Sequence, residues 1–197
     1  SLLTVSTDAG SIQTVVVYNV NAGITINNAW NAGNDDIELR VTTAGDIAFV
    51  GGSLTTTGDV LLLASAGAVT DNDGTTDISC NALDVDTQDG IGDGNPLETA
   101  VTTAALDSVG TGLNEVIDVD FDTAGGNTTL TSVTIGAGAG TVTLDGAGGN
   151  NLVVSGTVST ANRTIDISVD SGALDNSGGT ITTGGTGLTG RDTTPEA

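Results

Sequence analysis

Apolar and polar residues alternate along this chain in many short runs. Early examples are Thr14-Val15-Val16-Val17-Tyr18, Gly23-Ile24-Thr25-Ile26, Asp36-Ile37-Glu38-Leu39-Arg40-Val41 and Asp46-Ile47-Ala48-Phe49-Val50. Gly58-Asp59-Val60-Leu61-Leu62-Leu63, Leu83-Asp84-Val85-Asp86 and Val116-Ile117-Asp118-Val119-Asp120-Phe121 follow. The last group is Thr141-Val142-Thr143-Leu144, Asn151-Leu152-Val153-Val154 and Thr164-Ile165-Asp166-Ile167-Ser168-Val169. Each run is bounded by Gly, Asn, Asp or Ser, the pattern of strands separated by tight turns. A period of two sends one set of side chains to a core and the other to water. The pattern predicts an all-β chain.

A longer period overlies the alternation. Ile37, Val60, Leu83 and Leu106 follow one another at intervals of 23, and Val142, Ile165 and Leu188 repeat that interval in a shifted phase. An insertion near 107–127 would produce the shift. Self-similarity at ~20–50 residues marks solenoids and propellers. A propeller blade takes about 40 residues and carries aromatic signatures, whereas Tyr18, Trp30, Phe49 and Phe121 are isolated here. The interval predicts a parallel β-helix of about 23 residues per coil, with coils ~4.8 Å apart and about eight of them making a rod on the order of 40 Å. An antiparallel β-sandwich also spaces its strands closely and is the alternative. Residues 1–197 read as one solenoid domain or part of a longer repeat array, ending in a flexible tail at 189–197. Glycine suits the corners, and Gly136-Ala137-Gly138-Ala139-Gly140 and Gly146-Ala147-Gly148-Gly149 are assigned to them.

Composition narrows the partners. The chain has 25 acidic residues against three arginines (Arg40, Arg163 and Arg191) and no histidine, a formal net charge of -22. Acidity with few aromatics can mean disorder, but a hydrophobic fraction of 37% rich in Val, Ile and Leu favours folded strands. Nucleic acid requires clustered cations to displace phosphate counterions, and an anionic membrane surface repels such a chain. No segment approaches the ~20 apolar residues that span a bilayer. Neither nucleic-acid binding nor membrane insertion is expected.

The single cysteine, Cys80, excludes an intrachain disulfide framework and reads as a small buried hydrophobe. No signal peptide is visible at Ser1, consistent with a removed leader or an internal segment.

The stretch from Gly58 to Val101 is the most specific. It contains Gly58-Asp59-Val60-Leu61-Leu62-Leu63-Ala64-Ser65-Ala66-Gly67-Ala68-Val69-Thr70-Asp71, then Leu83-Asp84-Val85, then Gly90-Ile91-Gly92-Asp93-Gly94-Asn95-Pro96-Leu97-Glu98-Thr99-Ala100-Val101. This stretch resembles the repeats of filamentous-haemagglutinin-like large exoproteins, bacterial surface adhesins. The resemblance implies a right-handed parallel β-helix, secretion to the cell surface, and a role as stalk or adhesive. The amino-terminal secretion domain of that family is not recognisable here.

Candidate chemistry is sparse. Without histidine there is no Ser-His-Asp or Cys-His arrangement, and without lysine no P-loop. Paired carboxylates could serve a glycosidase. Asp118, Asp120 and Asp122 share one face of a strand and read first as a solvated acidic face. Calcium is the more physical use of the acidity, because it takes six to eight hard oxygen ligands. The best cluster is Asp71-Asn72-Asp73-Gly74-Thr75-Thr76-Asp77, with Asp71, Asp73 and Asp77 as candidate calcium ligands. Its plain alternative is an Asx-rich turn bonded to its own backbone. Asn34-Asp35-Asp36 and Asp89-Gly90-Ile91-Gly92-Asp93 are weaker candidates. Asn127 and Asn162 each begin a sequon and are candidate glycosylation sites.

These features predict an extracellular structural or adhesive module at the cell surface, not an enzyme, with no cofactor other than a potential Ca²⁺. Its expected partners are copies of itself or adjoining repeats, and host-cell or environmental glycans or proteins. The alternative is a self-assembling filament or surface-layer subunit, with Leu2-Leu3-Thr4-Val5 able to add a strand to a neighbour. A carbohydrate-active β-helix enzyme is the third reading.

Overall fold

A computed structural model describes residues 14–19, 21–110, 115–122, 126–136, 141–161, 163–184 and the backbone of 188–192. Eighteen strands form among them, and no helix. They are β1 (Thr14–Asn19), β2 (Ile24–Ile26), β3 (Trp30–Asn31), β4 (Asp36–Val41), β5 (Ile47–Phe49) and β6 (Leu54–Thr55). Next come β7 (Val60–Ala64), β8 (Val69–Asp71), β9 (Ile78–Thr87), β10 (Leu97–Ser108), β11 (Val116–Phe121) and β12 (Asn127–Ile135). The remaining strands are β13 (Thr141–Gly146), β14 (Asn151–Thr160), β15 (Ile165–Val169), β16 (Leu174–Asp175), β17 (Thr180–Thr183) and β18 (Leu188–Asp192).

Each strand pairs in parallel with strands one coil away, which makes the chain a β-solenoid of about seven turns and about 23 residues per turn. The antiparallel sandwich is excluded, because the strand pairings described are parallel throughout. One ladder runs β1-β4-β7-β9-β10-β12-β14-β17. A second runs β2-β5-β8, passes through bridges at Ile91, and continues β11-β13-β15-β18. A third starts with β3 and β6 and merges with the first where the long strands β9 and β10 cover both.

The core is a set of aliphatic columns, one side chain per coil. In the first ladder Val17, Leu39, Leu62, Val85, Leu106, Val133, Val158 and Ile181 lie in register. In the second, Ile24, Ile47, Val69, Ile91, Ile117, Val142 and Ile165 do the same, all buried. Branched aliphatic side chains suit this stacking because their stiff χ1 rotamers pack on a pleated surface. Parallel strands buried on one face thereby repeat inside-outside alternation along every coil; β4 reads half-buried and buried in turn from Asp36 to Val41.

The register refines the interval. Ile37 pairs with Val60 and Val60 with Leu83, as the spacing of 23 predicts. Leu83 then pairs with Ala104, 21 residues on, while Leu106 lies beside Val85. Leu106 therefore belongs to a different column from the one its spacing suggested. The slip is two residues, so the side chain still points inward, and alternation alone could not detect it. From Leu106 to Val133 the coil lengthens to 27 residues, with a register shift between Ala104 and Ala105. Val142, Ile165 and Leu188 are true partners at 23. Of the tail expected at 189–197, residues 189–192 are strand paired with β15; 193–197 lie outside the described residues.

Corners behave as assigned at Gly148 and Gly149, whose φ values of 63° and 81° fall where only glycine is unstrained. Of the other glycine run only Gly136 is described.

Candidate functional site

Loop 72–77 turns the chain from β8 into β9 and lies between the corner at 50–53 on one coil and that at 92–96 on the next. Around it one carboxylate oxygen from each of Asp71, Asp73 and Asp77 lies within 4.8 Å of the other two. The three candidate ligands are therefore brought together. Asp71 ends β8 and points inward, in register with Phe49. Asp73 follows an Asx turn, its amide 3.0 Å from Asp71 Oδ2. Asp77 immediately precedes β9, its amide donating to the Glu98 carbonyl of the next coil at 2.9 Å.

The three differ sharply in how they are satisfied. Asp73 stands at the solvent side, where Oδ2 accepts the Gly51 amide at 2.8 Å and Oδ1 the Thr75 amide at 2.9 Å. Hydrogen bonds from Thr75 hold its carboxyl below the ordinary carboxylate value. Asp71 is 4% exposed and accepts from the Asn95 amide, which also donates to the Asp73 main-chain carbonyl. Asp77 has no exposed surface, and neither carboxylate oxygen has a hydrogen-bond partner. Burial, then the charges of Asp71, Glu98 and Asp73, push its pKa to about 8. The Glu98 amide opposes that rise slightly without reaching hydrogen-bond geometry. Glu98 repeats the pattern: Oε2 is buried and unpartnered, and burial followed by Asp71 raises its pKa to about 7.

Asn95 and Glu98 were not singled out in the sequence. The signal was present in the repeat: 21 residues beyond Asp77 is Glu98, and 22 beyond Asp73 is Asn95. A coil period read as the address of a neighbour finds both.

The acidity extends along the same face. Glu98 pairs with Asp120, Asp120 with Asp145, and Asp145 with Ser168, whose hydroxyl donates to Asp145 Oδ1 at 2.7 Å. Asp118 and Asp120 are half-buried and Asp122 is exposed, so the solvated face expected for the trio holds only for Asp122. Burial and then Asp120 raise the Asp118 pKa to about 6. In-register parallel stacking sets like charges one strand spacing apart, which a mixed-charge surface would avoid.

The weaker candidates are not gathered in this way. Asp36 Oδ1 accepts the Asp59 amide at 2.9 Å, and Asp46 Oδ1 accepts the Ala68 amide at 2.9 Å. In both, a corner carboxylate caps an amide of the next coil. Asp89 and Asp93 are both exposed at the corner before β10. Asn127 is exposed at the start of β12, with Oδ1 accepting from Asn151 at 2.7 Å; Asn162 lies outside the described residues, as do Leu2 to Val5. Cys80 is a buried free thiol, its pKa raised to about 12 by burial and then by Asp59. No helix among the described residues is long and apolar enough to cross a membrane. No protein-family model matches the chain, and neither a curated protein nor a solved structure matches it.

Proposed function

We propose that this chain is a structural module of a large secreted surface protein, a stalk or adhesive scaffold of the filamentous-haemagglutinin-like kind. The observation that carries the reading is the in-register column from Ile24 to Ile165, a core that grows by repetition and sets length. In such a solenoid each coil contacts mainly its neighbours, so extension costs no new architecture. The adhesin-like stretch fits the coil physically. Gly58-Asp59 enters β7, Ser65-Ala66-Gly67 turns into β8, and Gly90, Gly92 and Gly94 take positive φ at the corner before β10. Outward Thr, Ser and Asp leave a hydrated surface on which glycan or protein partners could be held. Immunogold labelling of intact source cells with antibody to this chain tests the reading. Label on the outer surface or in shed material supports it, and confinement to the cytosol overturns it. Incubation with acidic polysaccharides tests the enzyme reading; products that vanish on carboxylate substitution would replace the scaffold.

A second reading, self-assembly into a filament, draws on the ladder ends. Among the described residues β1 and β18 close the longest strand order, each paired on one side only. Open parallel edges template further strands. Electron microscopy of the purified chain decides, since fibres from this chain alone favour the filament and isolated rods the stalk.

A further inference from the structure

Corner carboxylates such as Asp36, Asp46 and Asp73 are explained by the backbone amides they cap. Asp77 is not. Asp77 is fully buried, has no donor to either oxygen, and faces two further carboxylates within 4.8 Å. A buried anion with no partner costs several kcal/mol unless something positive meets it. Every charged neighbour that shifts Asp77 is another acid: Asp71, Glu98 and Asp73.

We propose that Asp71, Asp73 and Asp77 form a calcium site that pins the 72–77 corner between its two neighbouring coils. Three carboxylates supply hard oxygen ligands of the type calcium prefers, and water completes its six to eight at the open side beside Asp73. The Asn95 amide donates to Asp71 Oδ2 and to the Asp73 main-chain carbonyl, which ties the cluster to the next coil. The Glu98 carboxylate, with its buried Oε2, adds negative charge from the next coil. Mg²⁺ is a poorer match, because it demands near-ideal octahedral geometry and gives up water reluctantly. The coil stack would gain from such an ion whether or not the chain reaches a cell surface.

Calorimetric titration of the full 197-residue chain with CaCl₂, after treatment with chelator at pH 8, tests this, alongside thermal unfolding followed by circular dichroism. The expected result is saturable binding near one ion per chain, with Tm raised by about 5–10 °C at saturation. Magnesium should act at least about tenfold more weakly. Asp77→Asn should be no less stable than the parent in chelator, yet lose the calcium response. Should that variant fail to fold, Asp73→Asn, half-buried at the solvent side, should fold and bind about tenfold more weakly. Asp118→Asn, outside the cluster, should bind as the parent does. No saturable binding up to about 10 mM calcium overturns the site. So does an undiminished response in both cluster variants, which would mark a diffuse counterion effect.

Discussion

Asp71 lies in register directly beside Phe49, so a buried carboxylate follows a buried ring in one inward-facing column. The neighbouring column, through Ile47 and Val69, is aliphatic at every level. An acid in a position where the fold calls for a hydrophobe is a local conflict, and such conflicts concentrate at functional sites. The expected consequence is a trade between stability and ion binding. Asp71→Val continues the column with an apolar side chain and relieves the repulsion among the clustered carboxylates, against the loss of the bonds Asp71 accepts from Asn95 and the Asp73 amide. Urea unfolding in chelator should therefore show the variant's midpoint at or above the parent's. With calcium added, the order should reverse. A variant less stable than the parent under both conditions would mean that the bonds Asp71 accepts from Asn95 and from the Asp73 amide outweigh the cost of burying the acid.

Proton binding gives a second expectation. Folding raises the pKa of Asp118 to about 6, Glu98 to about 7 and Asp77 to about 8. Protons that the folded chain keeps are released by the unfolded one, so these groups favour folding fully below the ordinary carboxylate range. That contribution is lost as pH rises through 6, 7 and 8. Asp73, with its lowered pKa, runs the opposite way but is solvent-facing and weaker. In chelator, stability should fall between about pH 5 and 8, by a few kcal/mol for Asp77 alone. Denaturation midpoints measured across that range check the sign. A midpoint that climbs with pH in chelator would contradict it.

How far the sequence spoke for itself depends on which residues carried the signal. Alternation placed the inward residues of β4 and β7 correctly, because a slip of one would have exposed every aliphatic side chain. It could not place Leu106 against Val85, since a slip of two residues leaves inside and outside unchanged. The Asp71, Asp73 and Asp77 cluster was legible because a single turn holds it. Asn95 and Glu98 were not, because their proximity depends on the lengths of the intervening coils. Half-burial of Asp118 and Asp120 was hidden for a related reason: only the stack reveals Asp145 as the next rung.

Alternation itself makes a direct experimental contrast. Leu62 is fully buried between Leu39 and Val85, whereas its neighbour Leu63 lies on the outer face, half-buried beside Arg40 and Asp86. Leu62→Ala leaves a void in a column that cannot collapse without shifting two coils, and should cost 2–5 kcal/mol, as buried Leu→Ala changes do, roughly. Leu63→Ala should cost under about 1 kcal/mol. Equal losses in equilibrium denaturation would show that the strand does not alternate as described.

Corner geometry allows a similar contrast between two glycines. Gly92 has φ +70°, and a Cβ there would meet the Asp118 carbonyl oxygen; Gly74 has no atom within 4 Å of such a Cβ and no positive φ. Gly92→Ala should destabilise by about 1–3 kcal/mol, since it adds a left-handed strain to a backbone clash. Gly74→Ala should fall within about 1 kcal/mol of the parent, with reduced unfolded-state entropy acting in its favour. Thermal unfolding of both variants at fixed calcium separates the two effects.

Thiol chemistry probes the core from within. Cys80 is 8% exposed, its Sγ lies 3.3 Å from the Ala82 carbonyl, and burial followed by the Asp59 charge pushes its pKa to about 12. The thiolate is the reactive species, so both access and ionisation are suppressed at neutral pH. Maleimide or disulfide reagents at pH 8 should leave the native thiol unmodified for hours and label it within minutes in urea. The native labelling rate should then follow the opening of the β9 region and rise when calcium is removed, because the 72–77 corner leads directly into that strand. Fast labelling of the native chain would place Cys80 on an accessible surface and contradict the packing of the coils around it.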